Sequence, residues 1–102
     1  MKNIRKRYAF DVTDHLHQLG DRIALARKSR VLRQEDVASM AGISRSTYIE
    51  IEKGSPYVEM GNYASALWAL NLLPHLDRVA SPDEDREAQA ILGAALPRRV
   101  RT

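Results

Sequence analysis

The chain has 102 residues, a formal net charge of +3 and a pI near 9.5. This length supports one domain with a modest core rather than two domains, and the mild basicity permits a polyanionic partner without requiring one. The absence of cysteine excludes disulfides and thiolate chemistry. No apolar run approaches the roughly 18 residues of a membrane span, and no signal peptide opens the chain. We therefore expect a soluble, cytoplasmic protein with no membrane partner.

The first segment, residues 1–12, is basic and lacks helical periodicity, so we predict a flexible basic arm there. A first helix is expected to begin after Thr13 or Asp14, because either side chain can cap free backbone N–H groups. It should extend to about Lys28. Its apolar positions follow three- and four-residue steps: Leu16, Leu19, Ile23 and Ala26.

Two short helices and a tight turn follow. Residues 34–41 read as the second helix, and Gly42 supplies the turn because glycine tolerates positive φ. Ser44 is a suitable N-cap for the third helix, which should run to about Lys53 and end at Gly54. Tyr48 and Ile51 are expected to face the core.

Beyond the Ser55-Pro56 loop, a fourth helix is predicted from about Met60 to Leu70, and a short fifth segment over 74–79. Ser81-Pro82-Asp83-Glu84 is a typical helix start, with serine as cap and proline in the first turn. The helix that it opens should end before Pro97, and its apolar face should comprise Ala88, Ile91, Leu92 and Ala95. The chain is therefore predicted to be all-α, with an arm (1–12), a helical domain (13–72) and a C-terminal helical extension with a basic tail (73–102).

The third helix has the character of a DNA-recognition helix. Such a helix needs an inward stripe that fixes it to the fold and an outward N-terminal end that reaches base edges in the major groove. Arg45 is the best candidate for direct readout, because a guanidinium can bond O6 and N7 of guanine together. The helix-turn-helix interpretation makes the following residues candidates for contact with bases or phosphates: Arg33, Gln34, Ser44, Arg45, Ser46, Thr47, Glu50 and Lys53. The alternative is that these side chains form an ordinary solvated helix surface.

Residues 19 to about 72 resemble the XRE-type helix-turn-helix family, which includes the phage-repressor and Cro domains. The resemblance lies in Gln34-Glu35-x-Val37-Ala38, in Gly42-Ile43-Ser44-Arg45-Ser46-Thr47 and in Ile51-Glu52-Lys53-Gly54, together with Ile23 and Arg27. It implies a lambda-repressor-like bundle of about five helices, with an additional C-terminal helix and basic tails in this chain. It also implies that Arg27 and Glu52 form a structural ion pair. Arg33 departs from the family, which often has Ser or Thr before the glutamine; the cap is expected to be weaker there.

The thirty residues after the motif distinguish this chain. Trp68 stands at a position that is commonly polar in the family, so it is either part of an outward interface or covered by the last helix. The candidate interface comprises Trp68, Leu72, Ile91 and Leu92. The ending Arg98-Arg99-Val100-Arg101 is either a solvated tail or a tether for a partner or phosphates. Four further stretches are Gly54-Ser55-Pro56-Tyr57-Val58, Ala66-Leu67-Trp68-Ala69-Leu70, the helix start Ser81-Pro82-Asp83 and the ending Leu96-Pro97-Arg98-Arg99-Val100-Arg101. With them, residues 15 to about 101 resemble HipB-like antitoxins, which implies a homodimer that represses its own operon and binds a HipA-like kinase toxin.

Enzyme chemistry is not expected. His15 and His17 lie about 200° apart around a helix axis and cannot share a metal, and His75 is isolated beside Pro74. No catalytic residues, no metal site and no cofactor are predicted. The first hypothesis is a dimeric repressor that binds a double-stranded DNA operator. The alternatives are a stand-alone XRE regulator and a protein-interaction module that keeps the fold.

Overall fold

The computed structural model describes residues 5–95, and its regular elements in this range are all helical, without a strand. This confirms the all-α prediction. No helix of the described range is long and apolar enough to cross a membrane. In chain order the elements are α1 (Phe10–Ser29), α2 (Gln34–Ala41), α3 (Arg45–Glu52), α4 (Met60–Ala69), a 3-10 helix (Leu73–Arg78), a 3-10 turn (Pro82–Glu84) and α5 (Arg86–Ala95).

The first helix begins at Phe10, whereas the sequence predicted a start after Thr13 or Asp14. The hydroxyl of Thr13 does not cap the helix; it donates to the carbonyl of Phe10 at 3.0 Å. No side chain caps the start at Ala9, but Asp11 in the first turn is favourable beside the positive end of the helix dipole. Residues 5–9 have no regular secondary structure, and residues 10–12 of the predicted arm are helical.

The core is built around α3. Tyr48 and Ile51 of α3 are fully buried, and they pack with Ile23 of α1, Val37 of α2 and Leu70 at the end of α4. Burial of side chains of this size stabilises the fold by about 1.5–3 kcal/mol each. The contacts of α3 with α1 and of α2 with both α3 and α4 hold the third helix in one orientation.

The turn between α2 and α3 depends on a left-handed residue. Gly42 has φ 73°, and its N–H donates to Ser39 O at 3.2 Å. The next N–H, that of Ile43, donates to Ala38 O at 3.0 Å. These two bonds satisfy carbonyls at the end of α2, as expected for a helix stop at glycine.

The last helix differs from its prediction in start and in packing. Ser81 caps only the 3-10 turn, and the backbone is extended at Asp85, whose Oδ1 then accepts the Ala88 N–H at 3.0 Å. The predicted start at Ser81 is therefore wrong, because Asp85 provides a second cap and the longer helix begins after it, at Arg86. Ile91 and Leu92 of α5 are exposed.

Trp68 is not covered by the last helix; 59% of it is accessible to solvent. Of the two possibilities for this residue, the outward one is what the structure shows. The predicted tail residues Arg98, Arg99 and Arg101 and the arm residue Lys2 lie outside the described residues.

Candidate nucleic-acid interface

Helix α3 has a buried side and a polar side. Tyr48 and Ile51 are fully buried, whereas Arg45, Ser46 and Glu50 are exposed. Because residues three and four apart share a helix face, the two buried side chains fix the rotation of the helix about its axis. The N-terminal end of α3 is thereby presented outward with a basic and a hydroxyl side chain.

The start of α3 is fixed by its own hydroxyl network. Ser44 Oγ accepts the Thr47 N–H at 3.1 Å and donates to Thr47 Oγ1 at 2.9 Å. Ser46 Oγ lies 3.2 Å from Ser44 Oγ. In this state Ser44 and Thr47 serve as the cap, and Arg45 and Ser46 are the residues of the first turn that extend into solvent.

Each basic side chain of this polar face has a carboxylate nearby. Arg45 Nε lies 3.9 Å from Glu35 Oε1, and Arg33 Nη1 lies 3.3 Å from Glu35 Oε2. Lys53 Nζ lies 3.6 Å from Glu50 Oε2. The side chains are exposed, so each pair contributes about 0–1 kcal/mol at most and can be exchanged for a phosphate.

The N-terminus of α2 has a cap that the sequence did not suggest. Asp36 Oδ2 accepts the backbone N–H of Arg33 at 2.8 Å, and the Arg33 guanidinium lies 3.4 Å from the same carboxylate. The backbone bond first, and the guanidinium second, hold the pKa of Asp36 below its usual value. The aspartate thus supplies one half of a capping box, the bond to the N-cap N–H, while no side chain at the N-cap accepts an N–H of the first turn.

The side chain of Gln34 belongs to a buried cluster in this structure. Its Nε2 donates to Glu52 Oε1 at 2.9 Å, while Arg27 Nε lies 2.6 Å from Glu52 Oε2. Arg27 also donates to the carbonyl of Leu32 at 2.9 Å. The ion pair that the resemblance implied is therefore present, and Gln34 joins it. To bind a phosphate, Gln34 would have to use its second side-chain N–H or give up its hydrogen bond to Glu52.

The pKa values in this cluster favour an ionised Glu52 and a neutral Tyr48. Burial alone would raise the pKa of Glu52, but the hydrogen bonds from Arg27 and Gln34 and the Arg27 charge lower it below its usual value. The Tyr48 hydroxyl lies beside the pair, yet it is buried without a hydrogen-bond partner in the described part of the chain. Burial, its largest cause, raises the pKa of Tyr48, so the phenol stays neutral.

A second group of residues near α3 was missed from the sequence. Tyr57, in the loop that follows α3, donates through its hydroxyl to Lys6 O at 2.9 Å. The Arg5 guanidinium lies 4.5 Å from the centre of the Tyr57 ring, and the Tyr8 ring lies 5.7 Å away. Cation–π and aromatic contacts of this kind hold a basic segment against a loop. In the sequence, this contact was indicated by nothing more than the two tyrosines themselves, Tyr8 and Tyr57, within polar segments.

The predicted interface residues fall into two groups. Trp68, Ile91 and Leu92 are exposed, whereas Leu72 is half-buried against the core. Within residues 5–95 no group of three or more His, Cys, Asp or Glu side chains is arranged to hold a metal ion.

Comparison with known families locates the same part of the chain. A family model described as a helix-turn-helix domain matches residues 20–72, just over half of the 102 residues. The match includes α2, α3, α4 and every candidate DNA-contact residue, and it stops before α5. Searches of curated proteins and of solved structures return no match.

Proposed function

Because the chain belongs to the helix-turn-helix domain family, we propose that it is a transcription regulator that recognises a specific DNA operator. The observation that carries the proposal is the two-sided α3: Tyr48 and Ile51 are fully buried, and Arg45 and Ser46 are exposed at the helix start. A helix fixed in this way can enter the major groove with its N-terminal residues toward base edges.

The exposed side chains suit distinct contacts. Arg45 would read guanine through O6 and N7, and Glu50 would accept a hydrogen bond from cytosine N4. Arg33 and Lys53 would bind phosphates after leaving their carboxylate neighbours. Gln34 would contact a phosphate at the N-terminus of α2, where the helix dipole favours an anion.

The finer proposal is a homodimeric repressor. Two copies related by a twofold axis would place their recognition helices about 34 Å apart and read a palindromic operator. Binding at a promoter would then compete with transcription. We place the protein in the cytoplasm, where such an operator is accessible, and assign it no catalytic activity and no cofactor.

The most specific proposal is the antitoxin of a toxin–antitoxin operon, which represses its own promoter and binds a HipA-like serine/threonine kinase. Its support is the resemblance of residues about 15–101 to HipB-like antitoxins. A stand-alone XRE regulator and an interaction module that retains the fold are the competing functions. A HipA-like gene adjacent in the genome, and inhibition of its purified kinase by this protein, would support the antitoxin role; a neighbour of another class would favour the stand-alone regulator.

Replacement of Arg45 by alanine tests direct readout. The operator is first selected from a library of random duplexes with the wild-type protein. Arg45→Ala should then weaken specific binding by about 1–3 kcal/mol and relax the preference at one base position. Arg86→Ala, which removes an equal charge from α5, should leave both unchanged. Equal affinity and an equal selected sequence for Arg45→Ala would disprove this role.

The salt dependence of operator binding separates DNA recognition from a pure interaction module. Contacts with phosphates release counterions, so the affinity should fall steeply as salt rises, with a slope of about −0.9 for each phosphate contacted. Arg33→Ala should reduce that slope by about 1. A protein that selects no duplex sequence, but binds a partner independently of salt, would instead be the interaction module.

A further inference from the structure

An open apolar groove of about 1270 Å³ lies between α1 and α4 and continues along the 3-10 helix Leu73–Arg78. Apolar side chains from all three elements line it, among them Val12, Leu19, Leu25, Met60, Leu67 and Leu76. Leu25 is 68% exposed and Met60 is 67% exposed. None of the residues proposed to contact DNA lines the groove, so an occupant there is compatible with DNA binding.

Helix α5 has an exposed apolar face. Ala88, Ile91 and Leu92 follow three- and four-residue steps, and Ile91 and Leu92 are exposed. The helix is fastened to the turn before it, because Gln89 Nε2 donates to Pro82 O at 3.1 Å and to Asp83 O at 2.6 Å. No residue of α5 lines the groove. One chain therefore carries an apolar groove and an amphipathic helix that do not contact each other.

We propose that the groove of one copy receives α5 of a second copy, and that the exchange is reciprocal. The proposal rests on the dimer in the proposed function and assigns its interface. Reciprocal exchange closes the assembly with twofold symmetry, because the same groove and the same helix are used in both subunits. It also removes both exposed apolar surfaces from water, which is the main driving force of association.

The size of the groove suits a helix. A helix of ten residues, such as α5, is about 15 Å long and about 10 Å across, which corresponds to a cylinder of about 1,200 Å³. Pockets for small ligands are about 300–1,000 Å³. A specific interface buries at least about 1,000 Å² in total, and reciprocal exchange doubles the area that one helix in one groove would contribute.

The charges of the two parts favour one orientation of the incoming helix. Asp83, Glu84 and Asp85 precede and cap α5, so the N-terminal end of this helix follows three carboxylates. Arg22 and Asp11 both line the groove, and they lie eleven residues, or about 16 Å, apart along α1. The acidic start of α5 would therefore lie beside Arg22 and away from Asp11.

The connection to α5 favours the helix of a second copy over the helix of the same chain. Val79 lies at the groove, and six residues separate it from Arg86 at the start of α5. This connection is already shaped by the Ser81 cap, the Asp85 cap and the two Gln89 bonds. These bonds lie within residues 81–89 and move with α5, and this unit is joined to the 3-10 helix by the Ser81 N–H, which donates to Arg78 O at 3.2 Å. A return of α5 into its own groove would require a different backbone path at that bond, whereas docking into a partner keeps it.

Cross-linking between single-cysteine variants tests the exchange, and the chain offers a clean background because it has no cysteine. Leu25→Cys and Ile91→Cys are purified with tags of different size, mixed and oxidised. The mixture should give a disulfide-linked heterodimer at least about five times more abundantly than a mixture of Met40→Cys with Ile91→Cys. Met40 is a matched control because it is an exposed apolar residue of α2 that does not line the groove.

Two other outcomes would overturn the proposal. Efficient cross-linking of Ile91→Cys with itself would show that two α5 helices pair directly. A purely intramolecular disulfide in the Leu25→Cys/Ile91→Cys double variant would show that each helix occupies its own groove.

Sedimentation separates this proposal from the proposed function. Wild type should be a dimer at micromolar concentration and Ile91→Glu a monomer. The thermal midpoint of Ile91→Glu should match that of wild type at dilutions where wild type is also monomeric, since Ile91 packs against no core residue. The Ile91→Glu monomer should still bind an operator half-site with salt-dependent affinity. A dimer that persists in Ile91→Glu and still reads a palindrome would overturn the exchanged helices while leaving DNA recognition intact. A wild-type monomer would overturn the exchange outright.

Discussion

Glu52 connects the packing of the helices with the candidate DNA-binding face. Its Oε2 lies 2.6 Å from Arg27 Nε, and its Oε1 accepts from Gln34 Nε2 at 2.9 Å. Arg27 holds α1 to the end of α3, and Gln34 is the first residue of α2. A single carboxylate thus links α1 and α2 to the end of α3, and the candidate DNA contacts lie on or beside α2 and α3.

Replacement of Glu52 by glutamine should lower stability at neutral pH and flatten its pH dependence. The folded-state pKa of Glu52 is lowered, so its contribution is fully present above the unfolded-state value near 4.5 and is lost as the pH falls through the lower folded value. Glu52→Gln should therefore cost about 3 kcal/mol at pH 7, because the Arg27 charge remains buried without its partner. Urea unfolding of both proteins between pH 7 and pH 3 measures the difference.

The comparison has a clear control and a clear failure. Glu35→Gln removes an exposed carboxylate with weak partners, so it should change stability by less than about 1 kcal/mol. A constant gap between wild type and Glu52→Gln down to pH 3 would mean that the carboxylate does not carry the linkage.

Val31 stores backbone strain directly after α1. It has φ 56°, a left-handed conformation that is costly for a β-branched residue, and 90% of it is exposed. Val31→Gly should stabilise the protein by about 1 kcal/mol, because it relieves the strain and removes little packing. That gain corresponds to a rise of about 4–8 °C in Tm for a domain of this size.

Calorimetry of Val31→Gly and of Ala24→Gly tests whether the expected stabilisation comes from relief of backbone strain at Val31. Ala24 lies inside α1, where glycine should destabilise the helix by about 1 kcal/mol. If both variants lose stability alike, the left-handed backbone at Val31 stores no strain worth relieving.

At the level of elements, α1 and the end of α3 approach each other through two glycines. A Cβ on Gly20 would lie 2.5 Å from Glu52 O and 2.7 Å from Gly54 N. Gly54, at φ 73°, is equally close to the backbone of α1 at Leu16 and His17. Backbone atoms cannot yield as a flexible side chain can, so this contact requires both residues to lack a Cβ.

Gly20→Ala should therefore destabilise the protein by about 2–3 kcal/mol, because the helices must separate and shift the Arg27–Glu52 pair. Gly61→Ala is the matched control within α4, where a Cβ would meet nothing within 4 Å; it should be neutral or stabilising by up to about 1 kcal/mol. Chemical denaturation of the two variants decides the point: equal midpoints would show that α1 can move away from α3 at no cost.

Local signals predicted the middle elements well, and tertiary contacts decided what they missed. Gly42 and Ser44 act on their immediate neighbours, so α2 and α3 could be placed from the sequence. The bond from Tyr57 to Lys6 spans 51 residues and that from Gln34 to Glu52 spans 18. Neither pairing has a local pattern. The start of α5 was missed because Ser81 and Asp85 are both suitable caps, and only the backbone path shows which one begins the longer helix.

At the scale of the whole molecule, the described chain consists of a core formed by α1 to α4 and a helix, α5, outside it. The buried residues all lie between Gly20 and Leu70. This range falls entirely within the matched helix-turn-helix domain, residues 20–72. The stability of the core and the presence of α5 should therefore be separable.

A chain ending at Ala80 should keep the fold and change the assembly. Its free energy of unfolding, measured at a concentration where wild type is monomeric, should match that of wild type within about 0.5 kcal/mol, because no buried residue is removed. At higher concentration only wild type should gain stability by association. Melting curves over a hundredfold range of concentration show this, and a truncated chain that melts lower at every concentration would reveal core contacts of α5.

The carboxylates beside the basic residues of the candidate DNA-binding face have a consequence for the proposed DNA contact. Glu35 and Glu50 lie next to Arg45, Arg33 and Lys53, in the places that phosphate oxygens would take. If α3 enters a groove as proposed, each basic side chain exchanges a carboxylate for a phosphate, so up to about 1 kcal/mol of each contact is offset. Backbone contacts alone would then hold the protein less firmly, and base contacts would decide where it stays.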